Sequence, residues 1–121
     1  MATRSTIAKA NTDGTVTAIY CHWDGYPEGV GATLKEHYTD STKIDSLLAL
    51  GDLSVLGNEI GDRNDFENPV KNVCLFYGRD RGETNVDAVT HESIDAWKRH
   101  FTACDYGYLW TGTEWTTYKL D

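Results

Sequence analysis

Proline is nearly absent, with two residues in a chain of 121. That scarcity excludes a proline-rich linker, and 40% apolar and 12% aromatic residues supply enough buried area for an ordered core. Cysteine is sparse as well. Cys21, Cys74 and Cys104 are odd in number and show no CxxC or CxxH spacing, which argues against a zinc or disulfide framework. No run approaches the roughly 18 apolar residues of a membrane span, and the chain does not open on a basic segment followed by an apolar one. These absences predict a soluble protein of a reducing cytoplasm. Basic charge is in deficit, with 11 Lys and Arg against 19 Asp and Glu and a formal net charge of −8. A nucleic-acid binder held by phosphate contacts carries the opposite sign. A small anionic ligand remains open, because a pocket needs only a few placed cations, and an acidic surface also suits a DNA mimic.

No repeat, linker or low-complexity tract divides the chain, so residues 1–121 are expected to form one domain. Residues 3–11 and 15–23 read as strands around the turn Asn11-Thr12-Asp13-Gly14. Alternation places Val16, Ala18, Tyr20 and His22 on one face and Thr17, Ile19, Cys21 and Trp23 on the other. Pro27 suits the first turn of a helix over 27–38, with Val30, Leu34 and Tyr38 as its stripe. A second helix begins after Asp40 or Ser41, buries Ile44, Leu47 and Leu48, and stops at Gly51. Residues 53–60 are mixed, with a helical spacing of Leu53, Leu56 and Ile60. Residues 61–69 form a polar loop, and 73–77 a short buried strand running into Gly78-Arg79-Asp80-Arg81-Gly82-Glu83. Thr90 is placed as the cap of a third helix facing Ile94, Trp97 and Phe101 inward. A hairpin over 106–110 and 115–119 closes the chain, and its Trp110, Trp115 and Tyr118 are candidates for burial between subunits. The expectation is an α+β domain of about five mostly antiparallel strands and three helices.

Chemistry concentrates in two segments. If the strand continues through Arg79 and Arg81, both guanidinium groups emerge on one face, two residues apart. Such a pair grips two phosphates, or one phosphate and a purine plane; a surface strand end pairing with carboxylates is the plainer alternative. The second segment, Tyr20-Cys21-His22-Trp23-Asp24-Gly25-Tyr26, gathers aromatic faces and a polar donor at a strand-to-helix corner, and suits either a planar base or a packed core corner. Cys21 and His22 point to opposite faces and cannot act as a thiol–imidazole pair. His37, His91 and His100 are scattered among polar residues and read as solvated. Asp24, Asp80 and Glu83 are the one candidate carboxylate set for a metal-dependent phosphodiesterase, although the flanking arginines compete for them. Gly29-Val30-Gly31 lacks the third glycine of a dinucleotide fingerprint. No cofactor or resident metal is expected.

Four strings occur together: Thr3-Arg4-Ser5-Thr6-Ile7-Ala8, Ile19-Tyr20-Cys21-His22-Trp23-Asp24-Gly25-Tyr26, Gly51-Asp52-Leu53-Ser54, and Tyr77-Gly78-Arg79-Asp80-Arg81-Gly82-Glu83. Jointly they resemble a family of small phage and prophage proteins similar to the first type of Thoeris anti-defence protein. The resemblance implies a sponge rather than an enzyme, working in the host bacterial cytoplasm. Such a protein sequesters the cyclic ADP-ribose signal of the defence, chiefly glycocyclic ADP-ribose, without degrading it. It also implies a homo-oligomer (hexamers occur in the family), capture of cyclic trinucleotides at a second kind of site, and no DNA, RNA or membrane partner. Carried onto this chain, Arg79 and Arg81 grip phosphate or stack on a base, Tyr77 or Phe76 supplies a ring, and His22 with Trp23 forms a wall. Arg63, Asn64 and Phe66 join through the polar loop. An acidic inhibitor acting by protein contact and a metal-dependent phosphodiesterase stand as the alternative readings.

Overall fold

A tight turn starts the fold in the computed structural model, which describes residues 2–120. The Asp13 carboxylate accepts both the backbone N–H and the hydroxyl of Thr15, at 3.0 and 2.6 Å, and turns β1 (Ser5–Ala10) into β2 (Val16–Cys21). Their antiparallel register runs from Ser5 opposite Cys21 to Ala10 opposite Val16. Asp24, in a left-handed conformation with φ of 58°, then turns the chain, and its carbonyl accepts the N–H of Val30 at 2.8 Å. Pro27 opens a wide π-type turn (Pro27–Gly31) leading into α1 (Ala32–His37). The next helix, α2 (Ser41–Ala49), is capped by the Asp40 side chain on the N–H of Thr42 and buries Ile44, Leu47 and Leu48. The sequence marks both helices correctly.

The rest of the chain supplies β3 (Leu53–Val55), β4 (Leu75–Phe76), α3 (Tyr77–Arg81), β5 (Val89–His91), α4 (Ile94–His100), β6 (Tyr106–Trp110) and β7 (Trp115–Lys119). The sheet order is β4-β3-β2-β1-β6-β7. β5 pairs with the first half of β2, over Val16–Ala18, and β3 takes the end of β2 at Cys21. The β1–β6 and β2–β3 pairs are parallel and the others antiparallel. The α+β class stands and four of the six strand pairs are antiparallel, but seven strands in a mixed sheet and four α-helices among the described residues replace the five strands and three helices expected. β3, β4 and β5 have only two or three residues each, too few for alternation to register, and parallel pairing leaves no local mark in a sequence.

The two faces of the sheet are covered unequally. On one, Ile7, Ile19, Cys21, Leu53, Phe76 and Tyr108 pack under Val30, Leu34, Tyr38, Ile44 and Leu47. On the other, Trp97 of α4 sits on Ala8, Val16, Ala18 and Leu109. Small residues make that seat: a Cβ on Gly107 would stand 3.0 Å from the indole ring. Ser93, not Thr90, caps α4, accepting the N–H of Ala96 at 3.0 Å, while Thr90 lies in β5 beside Thr17. Ile94 is exposed at the helix start instead of facing inward. Trp110 and Trp115, expected between subunits, are buried within this one chain, and the Trp115 indole donates to the carbonyl of Tyr38 at 2.8 Å. Tyr118 packs edge-on against Trp97.

The buried Trp97 Nε1–H donates to Thr6 Oγ1 at 3.0 Å, and that hydroxyl donates to the carbonyl of Ile19 at 2.8 Å. Thr6→Val keeps the shape and removes the acceptor, leaving a buried N–H unpaired, so chemical denaturation should show a loss of about 1–3 kcal/mol. Thr6→Ser should retain most of the stability. Equal stability of the valine variant would show that Trp97 is held by packing alone.

Candidate functional site

The residues 77–81 wind into one helical turn, α3, instead of extending the strand. Gly82, with φ of 71°, closes it by donating its N–H to the carbonyl of Gly78 at 2.9 Å. Two residues along a helix subtend about 200°, so Arg79 and Arg81 diverge and do not share a face as the strand reading required. Arg79 turns inward. Its Nη1 donates to the carbonyls of Ile60 and Gly61 at 3.0 and 2.7 Å, its Nη2 to that of Cys74 at 3.0 Å, and its guanidinium lies over the buried ring of Phe76. Asp80, whose side chain is fully buried, accepts from Arg79 Nε at 2.9 Å and from the backbone N–H groups of Asn64 and Phe76 at 2.7 and 2.8 Å. Asn64 extends the network: its amide donates to Val70 and Val73 carbonyls, and its oxygen accepts the N–H groups of Asp65 and Val70. Arg79, Asn64 and Phe76 are thereby committed to holding the segment 60–76.

Arg81 turns outward. Its guanidinium carbon lies 4.4 Å from the ring centre of Phe66 and 5.1 Å from that of Tyr77. The two rings stack at 5.7 Å with 27° between their planes. Glu83 accepts from Arg81 Nε at 2.6 Å, at the exposed edge of this half-buried pair of rings. Phe66 arrives from the polar loop, two residues after the Asn64 anchor. Arg63 is exposed on the same loop, without a hydrogen-bond or ion-pair partner among the described residues.

The second predicted segment joins the platform through the sheet. Asp52 carries Tyr77 on its carbonyl at 3.3 Å and the N–H of Tyr20 on its carboxylate at 2.9 Å. Register puts Tyr20 beside Thr6 on the face that Trp97 covers only in part. Burial pushes the Tyr20 phenol up to about 12, against the pull of Arg4 and with a further push from Tyr77. Its oxygen lies 2.7 Å from His22 Nδ1, and the imidazole meets Trp23 edge-on with ring centres 4.8 Å apart. Trp23 is 44% exposed. The structure thus brings Tyr77, Phe66 and Arg81 together, links His22 and Trp23 to them through Tyr20 and Asp52, and sets Arg79, Phe76 and Asn64 behind them. Tyr20 was named with its segment but given no role of its own, and Asp52 and Arg4 were not singled out, although the shared face of Tyr20 and His22 was readable in the alternation. A cavity of about 450 Å³ lies between Asp24 and residues 69–73, floored by Val55, Leu56 and Leu75.

Groups that perform nucleophilic or metal chemistry are otherwise engaged. Burial pushes the Cys21 thiol up to about 12 and the Cys104 thiol up to about 11, and raises Cys74 as well. Asp80 and Glu83, two of the three carboxylates considered as a metal set, are held by Arg79 and Arg81. Among the described residues no group of three or more His, Cys, Asp or Glu is placed to hold a metal ion. His91 is buried in β5 instead of solvated on a helix, with its ring 4.9 Å from that of His100, which is exposed at the end of α4 as the sequence reading had it.

The two arginines should separate by stability. Arg79→Met strands a buried Asp80 carboxylate and three carbonyls, so a loss of about 3–5 kcal/mol is expected in denaturant unfolding. Arg81→Ala removes an exposed pair and should cost less than about 1 kcal/mol. A comparable loss for both would refute the division. Asp80 also sets an acid limit. Burial alone would raise its carboxyl, but Arg79 and the N–H groups of Phe76 and Asn64 outweigh burial and hold it below the usual range. Its contribution is therefore complete above the unfolded value of about 3.9 and is lost as pH falls through the depressed folded value. Stability measured from pH 5 downward should drop less steeply in Asp80→Asn, from a lower starting level.

Comparison with protein-family models, with curated proteins and with solved structures finds no match to this chain.

Proposed function

We propose that this chain is a phage anti-defence sponge that binds a cyclic nucleotide signal, glycocyclic ADP-ribose, and holds it unchanged. The observation that carries the reading is Arg81 lying over the stacked rings of Phe66 and Tyr77 at the open surface. A cyclic ADP-ribose isomer offers a purine plane and a pyrophosphate, and a half-buried ring beside an exposed guanidinium complements both. Stacking supplies about 1–3 kcal/mol per base and a charge-assisted hydrogen bond about 1.5–3 kcal/mol. Nanomolar capture needs about 12 kcal/mol, so the ligand must also reach the Tyr20, His22 and Trp23 strip. Buried, protonated thiols and carboxylates held by arginines agree with binding in place of catalysis. The resemblance of the four sequence strings to the Thoeris anti-defence family supplies the identity of the signal.

The test is to incubate the protein with glycocyclic ADP-ribose, remove free ligand by filtration, denature by heat and analyse the released material chromatographically. Intact ligand is expected from the wild type, with capture weakened at least about tenfold in Arg81→Ala. Chemically altered ligand would make the protein an enzyme, and ligand left wholly in the filtrate would remove this signal as its target.

A further inference from the structure

Where β1 begins and β2 ends, the chain forms a corner with an excess of donors. Arg4 and His22 lie one residue beyond the Ser5–Cys21 pair, on the two strands where the hairpin opens. The Arg4 charge acts on Tyr20, the residue whose phenol meets His22 at 2.7 Å, and His22 in turn meets the ring of Trp23. Among the described residues, the Arg4 guanidinium, His22 Nε2 and the indole N–H of Trp23 have no hydrogen-bond or ion-pair partner. The nearby carboxylates do not accept from these three side chains. Asp105 accepts the backbone N–H of Arg4 at 3.2 Å, Asp52 accepts that of Tyr20, and Asp24 accepts the hydroxyl of Tyr26 at 3.3 Å.

The Tyr20–His22 contact decides what the imidazole presents. The Tyr20 phenol stays protonated at neutral pH, and its one hydrogen-bond partner among the described residues is His22 Nδ1. Its O–H therefore donates there. A neutral imidazole that accepts at Nδ1 carries its proton on Nε2, so the free nitrogen is a donor. The corner then offers a guanidinium, an imidazole N–H and an indole N–H, and no free acceptor among these three side chains. In a chain of net charge −8, three unpartnered donors at one corner fit an oxyanion and no cation.

We propose that Arg4, His22 and Trp23 form an oxyanion-binding corner that takes a phosphate group, with Tyr20 as the positioning residue that fixes the imidazole tautomer. The corner shares His22 and Trp23 with the sponge reading and deepens it by naming where a phosphate is held. It does not need the cyclic ligand, so bare phosphate tests it separately.

The experiment is a titration of the ¹⁵N-labelled protein with inorganic phosphate at constant pH and ionic strength, with chloride as the control anion. The His22 ring, the Trp23 indole and the Arg4 side-chain N–H signals should shift together and saturate. Arg4→Gln should weaken the response about tenfold and Arg4→Lys should restore part of it. Phosphate shifts that do not saturate, that chloride reproduces, or that Arg4→Gln leaves unchanged would overturn the corner. The neutral His22 ring should show its proton on Nε2, and Tyr20→Phe should give a mixture of tautomers. A wild-type proton on Nδ1 would overturn the role of Tyr20. Phosphate binding without capture of the cyclic signal would sink the sponge reading alone, and capture with a silent corner would sink this one alone.

Discussion

The segment 60–76 has almost no ladder of its own, and its shape rests on one buried ion pair. Arg79 gives three hydrogen bonds to its carbonyls, and Asp80 takes two of its N–H groups. Each charge is tolerable in the interior only because the other is there, with further hydrogen bonds completing both. The dependence spreads outward. Asn64 is fixed through Asp80, and Asn64 in turn closes the turn from which Phe66 reaches Tyr77. Strand β4 is two residues long, and one of them, Phe76, gives its N–H to the same carboxylate. The exposed arginine therefore has a platform because the buried one has a partner.

This division explains what was legible in the sequence and what was not. Turn and cap chemistry spoke clearly: the Asn11–Gly14 turn, Asp40 before α2, Gly51 after it and the terminal hairpin all stand where local residues put them. The two arginines were legible as a pair but not as opposites. The three residues between Gly78 and Gly82 have no period long enough to separate one turn of helix from a strand end, and the carbonyls of residues 60, 61 and 74 that draw Arg79 inward are remote in sequence or lie before the strand. Thr90 and Ser93 are both good caps, and only the pairing of residues 89–91 with β2 decides between them. His91 and His100 meet across β5 and α4, a contact no spacing rule predicts.

Charge is distributed with the same logic. The cations that hold the fold are turned to carbonyls, rings or carboxylates: Lys43 donates to the carbonyls of His37 and Asn58, Lys9 pairs with Asp45, and Lys98 lies over Tyr118. Arg4, Arg63 and Arg81 are exposed, as are Lys35, Lys71, Arg99 and Lys119, on a chain whose formal net charge is nevertheless −8. An anion approaching the molecule at long range is repelled, so any recognition of one must be decided by contact geometry within about a Debye length.

The parallel pairing of β1 with β6 has a kinetic consequence. Arg4 bonds Asp105 at a separation of 101 residues, and β1 lies between β2, its neighbour in sequence, and β6, which is made much later than β1. The β1–β2 hairpin can form on its own, but one flank of its first strand stays unpaired until β6 has been made. High contact order of this kind slows folding and exposes a strand edge meanwhile. Lys9 is the one charged residue on that strand, and a charge on an open edge opposes pairing with a neighbouring chain.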